Sequence, residues 1–135
     1  MGHIEKMLRA HPEPAGSDGD TALACIKACF ECAEVCTVCA DACLAEPDMQ
    51  HLVTCIRLNL DCADICAVTG RLFARPSPRD AETLQHQLEA CARSCRSCGD
   101  ECQKHAAQMA HCRICAEVCV RCAEACERMI GALVP

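Results

Sequence analysis

The stretch CIKACFECAEVCTVCADAC, residues 25–43, carries a cysteine at every third or fourth position. Its six thiols, Cys25, Cys29, Cys32, Cys36, Cys39 and Cys43, follow steps of 4, 3, 4, 3 and 4. The mean step is about 3.6 residues, the period of an α-helix, so all six side chains project from one face. The pattern recurs as Cys55, Cys62 and Cys66, as Cys91, Cys95, Cys98 and Cys102, and as Cys112, Cys115, Cys119, Cys122 and Cys126. An ordinary helical bundle fills such a stripe with leucine. Here 18 cysteines among 135 residues take its place.

The length fits one domain. With two phenylalanines and no tryptophan or tyrosine, the chain lacks the large groups that dominate many cores. Leucine, isoleucine and valine fall mainly on flanking positions such as Val35, Val38, Val53, Ile56, Leu60, Ile65, Ile114 and Val118. Burial alone offers modest stability, to which bound metal would add. A net charge of −6 and the lack of any basic run argue against a nucleic-acid partner. Met1 to Ala15 holds no apolar secretory run and no twin-arginine signal. No segment approaches the ~20 apolar residues that cross a membrane. The expected location is the cytoplasm, where thiols stay reduced and serve as metal ligands rather than disulfide partners.

Local signals predict an N-terminal unit, residues 1–20, and a bundle over 21–135. The first holds a short amphipathic helix (Ile4, Met7, Leu8) and a flexible stretch from His11 to Ser17. The bundle helices are expected at approximately 21–46, 48–75, 78–107 and 110–131. Asp20 can cap the first and Pro47 can stop it. Arg75-Pro76-Ser77-Pro78 ends the second, with Ser77 as the next N-cap and Pro78 at the first helical position. The third boundary, near Ala106 to Ala110, has neither glycine nor proline.

Short turns between long helices predict an all-α, antiparallel up-down four-helix bundle with a cysteine-lined core and a short N-terminal helix. The first stripe would span roughly 27 Å at ~1.5 Å per residue. One end should gather Cys43, Cys55, Cys102 and Cys112 with Asp48, Met49, His51, His105, Met109 and His111. The other should be an apolar plug of Leu72, Phe73, Leu84, Leu88, Ile130 and Leu133 around Cys25, Cys66, Cys91 and Cys126. Traffic of metal belongs to the first end.

Sixteen of the cysteines form eight Cys-x-x-x-Cys pairs. Residues four apart on a helix have Cβ atoms ~5–6 Å apart, so two thiolates can flank one ion. Low-coordinate thiolate suits Cu(I). Charge sharpens the choice. One Cu⁺ replacing one thiol proton leaves the core neutral, whereas Zn²⁺ on four unshared thiolates leaves two negative charges in a dry interior. A straight stripe also lacks the tetrahedral closure that zinc prefers, and iron–sulfur motifs belong to loops. Bridging thiolates would let the chain hold on the order of 12–20 Cu(I) ions. That number implies storage rather than electron transfer or delivery.

Asn59 lies on the stripe, four residues after Cys55 and three before Cys62. It is either a weak oxygen ligand or a hydrogen-bond partner of its neighbours. His105 follows Cys102 by three and is expected as a ligand at the mouth; His111, beside Cys112, is an entry-ligand candidate or a solvated helix-start residue. Met49, Met109 and His51 could pass copper or merely fill space. His86 lies off the stripe. Cysteine can also serve as a small buried hydrophobe, but eighteen in register would be a standing oxidation hazard.

These helices, with Cys25 to Cys43 and Cys112 to Cys126 as their clearest runs, resemble the bacterial copper storage proteins, over Thr21 to Gly131. The lack of an export signal resembles the cytosolic branch. The resemblance implies a four-helix bundle filled with thiolate-bound Cu(I), a homotetramer, and a polar, histidine-bearing entry that His105, His111 and Asn59 match. A copper donor or acceptor protein is implied but not identified. The chain is expected not to be an enzyme. Two alternatives remain: a zinc- or cadmium-sequestering protein resembling metallothionein, and a thiol redox protein, which would favour one exposed low-pKa pair.

Overall fold

The computed structural model describes residues 2–14, 16 and 18–133. Each cysteine run lies on its own helix: α2 (Gly19–Leu44), α3 (Val53–Phe73), α4 (Ala81–Gln103) and α5 (Ala110–Leu133). A short α1 (His3–Ala10) precedes them, and a 3₁₀ turn, Met49–Leu52, leads into α3. There is no strand among the described residues. Among those residues no helix is long and apolar enough to cross a membrane. Ala15 and Ser17, part of the stretch expected to be flexible, lie outside the described residues.

Facing sulfurs give the register. On α2 and α5, Cys29 meets Cys126 and Cys36 meets Cys115, while Cys43 meets Cys112. Rising numbers on one helix meet falling numbers on the other, so the two run antiparallel. The same holds for α3 and α4, where Cys66 faces Cys91, Cys62 faces Cys95 and Cys55 faces Cys102. Helices α2 and α3 pack side by side, as do α3 and α4, α4 and α5, and α5 and α2. The ring closes into the expected up-down bundle. All eighteen cysteines are buried in its centre.

The helix ends differ from expectation in instructive ways. Helix α2 begins after Asp18, not Asp20, and no side chain caps it. It stops at Leu44, before Pro47 rather than at it, because the ring of Pro47 disfavours helical geometry at Glu46. Helix α3 starts only after the 3₁₀ turn, and it ends at Phe73. There the Arg79 guanidinium donates to the carbonyl of Leu72 in the last turn and to those of Arg75 and Ser77 just beyond it, tying down the chain that leaves the helix. The cap of α4 is Asp80, not Ser77. Its carboxylate accepts both the backbone N–H and the hydroxyl of Thr83, whereas Ser77 offers its hydroxyl to Glu13.

Helix α4 ends at Gln103 instead of 107. Lys104, His105 and Ala106 donate their N–H groups three residues back, to Glu101, Cys102 and Gln103, so the last turn tightens and the helix does not continue. The apolar residues of α3 that lie off the cysteine stripe divide between core and surface. Ile56 is buried, while Val53, Leu60 and Val68 face outward with Val38, Leu44 and Ile114. At the plug end, Ile4 and Leu8 of α1 pack onto the core, and Met7 points to solvent.

Candidate metal centre

Four stripes facing one another turn rows of thiols into a three-dimensional column of sulfur. Within helices, Cys32 and Cys36 stand 3.8 Å apart, as do Cys62 and Cys66. Contacts between helices are as close. Cys32 lies 3.8 Å from Cys119 and 4.0 Å from Cys62, Cys36 lies 3.7 Å from both Cys115 and Cys119, and Cys66 lies 3.5 Å from Cys95. Near the plug, Cys29 stands 3.9 Å from Cys126 and 3.8 Å from Cys122. Every one of these thiols is free.

Sets of four sulfurs therefore come within mutual reach of one ion. Cys29, Cys91, Cys122 and Cys126 form one, and Cys32, Cys66, Cys95 and Cys122 the next. Cys32, Cys36, Cys62 and Cys119 follow, then Cys36, Cys98, Cys115 and Cys119. Cys32, Cys36, Cys119 and Cys122 each belong to two sets, and shared sulfurs are what bridging thiolates require. A single stripe offers no tetrahedral closure, but four stripes do. Charge, not geometry, disfavours zinc in the deep core.

Asn59 interrupts the column between Cys62 and Cys55, on the mouth side of its middle. Fully buried, its Oδ1 accepts S–H from Cys98 at 2.9 Å, Cys115 at 3.2 Å and Cys102 at 3.5 Å. Its Nδ2 donates to Cys55 Sγ at 3.6 Å. Hydrogen bonds from Cys102 and Cys39 hold the Cys55 thiol far below its ordinary range, at about 3, against the opposing effect of burial. Cys43, nearer the rim, is pushed up to about 11, first by burial and then by the charge of Cys55.

At the mouth the two histidines part company. His111 Nδ1 stands 3.5 Å from Cys39, 3.6 Å from Cys112 and 4.0 Å from Cys43, and these four residues form a mixed set of one imidazole and three thiols. Its Nε2 pairs with Glu46 Oε1 at 3.0 Å. A carboxylate on the far nitrogen fixes the tautomer with Nδ1 free to bind, the usual arrangement behind a metal-bound histidine. His105 sits past the end of α4, off the stripe it was expected to continue. Its Nε2 pairs with Glu101 at 3.0 Å, and its ring lines an open cleft of about 650 Å³ with Glu46, His51 and Met109. His51 pairs with Asp48, Met49 packs against the core, and His86 lies exposed between Glu82 and Glu89.

Glu46 and Glu101 are the residues that spacing did not reveal. A signal for Glu46 did exist. It follows the C-terminus of α2, where the helix dipole disfavours a negative charge, and such a residue tends to have another partner.

The family model for copper storage proteins matches residues 19–131. Among solved structures, a copper storage protein from Streptomyces lividans loaded with 10 copper equivalents is 43% identical, with a TM-score of 0.91, covering 95% of this chain and 98% of that one. A structure of copper loading to a cytosolic copper storage protein of that organism, with five coppers, is 44% identical, with a TM-score of 0.84 and coverage of 87% and 98%. A Cu(I)-bound copper storage protein of Bacillus subtilis is 40% identical, with a TM-score of 0.72 and coverage of 81% and 97%. No curated protein sequence matches the chain.

Proposed function

This chain belongs to the copper storage protein family, and on that premise we propose that it takes up Cu(I) through its histidine-bearing end and holds on the order of 12–20 ions per chain on its core thiolates. The observation that carries the reading is the column of eighteen buried, free thiols, most of them gathered into overlapping sets of four. A carrier needs one or two ions, and a redox protein needs one accessible pair. Neither needs a sulfur core the length of a bundle.

All eighteen cysteines are assigned as copper ligands, from Cys25 at the plug to Cys112 at the mouth. His111 serves as the entry ligand, held by Glu46, and His105 shapes the cleft through which copper arrives. Cys55, on the mouth side of Asn59, stands 3.5 Å from Cys102 and accepts from Asn59 Nδ2, so it joins the mouth thiols to the deeper column. Asn59 Oδ1, already shared by three S–H groups, is available as a weak oxygen donor once copper displaces their protons. Each Cu⁺ that replaces a proton leaves the interior neutral, so the column fills without accumulating buried charge.

The Streptomyces relative is cytosolic, and we place this chain in the same compartment, where its thiols stay reduced. The outward valines and leucines of α2 and α3, among them Val38, Leu44, Leu60 and Val68, suit a homotetramer of bundles. No catalytic role is assigned. An anaerobic Cu(I) titration of the reduced protein, with a chromogenic chelator present, tests the reading. Uptake of more than ten equivalents before the chelator captures copper is expected, and saturation at one or two would overturn it.

A further inference from the structure

The mixed set at the mouth differs in kind from the sets below it. Cys39, Cys43 and Cys112 are fully buried, but the side chain of His111 keeps 23% of its surface in solvent. Four donors on a tetrahedral zinc ion, at ~2.3 Å for sulfur and ~2.0–2.1 Å for nitrogen, stand about 3.8 Å apart sulfur to sulfur and about 3.6 Å sulfur to nitrogen. Here Cys43 and Cys112 are 3.9 Å apart, and His111 Nδ1 lies 3.5, 3.6 and 4.0 Å from its three sulfurs. The remaining sulfur pairs fall within 4.8 Å. The donor atoms thus stand near the edges of a zinc tetrahedron before any metal arrives.

Several deep sets have similar spacing, so charge decides between them. A zinc ion on four thiolates would carry −2 in the dry column. On three thiolates and a neutral imidazole it carries −1, at a rim where water screens it. Glu46, accepting the Nε2 proton, supplies the outer partner of a zinc-bound histidine. Cu(I), by contrast, prefers two or three sulfurs and gains little from a fourth, nitrogen, donor.

We infer that the Cys39–Cys43–Cys112–His111 set binds one Zn²⁺ when copper is absent, closing the mouth of the column until Cu(I) displaces it. The inference rests on the assignment of these residues as entry ligands. Binding exchanges the three thiol protons for the ion, while the imidazole coordinates through Nδ1 with its Nε2–H kept on Glu46. The bound ion shields the outermost thiols from oxidation. Cu(I), the softer ion, then takes the thiolates and returns zinc to solution.

The test is a titration of the reduced, metal-free full-length protein with Zn²⁺ alone, under nitrogen. One equivalent is expected to bind with submicromolar affinity and release about three protons, measured by calorimetry in buffers of different ionisation enthalpy. Zinc-edge X-ray absorption of that form should find three sulfurs and one nitrogen. The His111→Ala protein, checked for helix content by circular dichroism, should bind zinc at least tenfold more weakly. Absence of binding at micromolar zinc, uptake of several equivalents, or a shell of four sulfurs would overturn the inference. Cu(I) titration of the same preparation separates the two readings. Loading beyond ten equivalents without a zinc site sinks only the stopper, whereas Cu(I) saturation at one or two sinks storage itself.

Discussion

Asn59 shows what one residue can do inside a sulfur core. Among the described residues only it and Thr69 are fully buried polar side chains, and its amide spends both ends on thiols. Three S–H groups converge on Oδ1 while Nδ2 supports Cys55. Asn59→Ala would strip partners from four cysteines and leave a void. Thiols are weak donors, so the cost to the metal-free protein is expected at about 1–3 kcal/mol, read as a lowered urea midpoint under reducing conditions. In copper-loaded protein the same thiols are engaged by metal, and the penalty should shrink. Equal losses in the two forms would mean that Asn59 contributes packing alone. The position was legible because the stripe demands a side chain there and finds no cysteine. Its orientation was not, since three of its partners come from α4 and α5, far away in sequence.

At the scale of elements, close approach matters as much as spacing. Gly99 lies buried in α4, and a Cβ added there would meet Cys119 Cβ at 3.3 Å and the Ala116 carbonyl at 3.6 Å. Neither atom can move without its helix. Gly99→Ala gains about 1 kcal/mol of helix propensity but overpacks the α4–α5 contact at about 1–3 kcal/mol. The expected outcome is a net loss of up to ~2 kcal/mol, measured by thermal unfolding of metal-free protein. A raised midpoint would show that α4 and α5 separate freely here. The helices themselves could be read from cysteine periodicity, which is a property of one segment at a time. Their ends could not be. Asp80 displaced Ser77 as a cap because its carboxylate satisfies two groups of Thr83, and the 3₁₀ tightening after Gln103 carried His105 off its stripe. Such competition among neighbouring hydrogen bonds leaves no periodic trace. The mixed mouth set was half legible. Cys39, Cys43 and Cys112 announced themselves, and His111 was a candidate, but Glu46 acts across 65 residues of chain.

For the whole molecule, the controlling quantity is charge. The chain carries a formal −6 at pH 7, counted with its thiols protonated, and nearly all of that charge sits on outward-facing side chains. Exchanging each proton for Cu⁺ leaves that total unchanged at every stage of filling. An ion clasped by two unshared thiolates would instead add one negative charge, and it would halve the capacity of the column. A divalent ion on four thiolates would add two. Capacity and net charge are thus linked: a bundle that stores about one ion per thiol must remain near its metal-free isoelectric point. Anaerobic isoelectric focusing of protein loaded stepwise with Cu(I) is expected to show bands that stay near the metal-free position, pI about 5.4, from the first equivalents to saturation. A steady march toward the anode would mean that copper is held by isolated thiolate pairs. The interior would then have to tolerate buried charge with no buried cation to offset it, since among the described residues no arginine or lysine lies in the core.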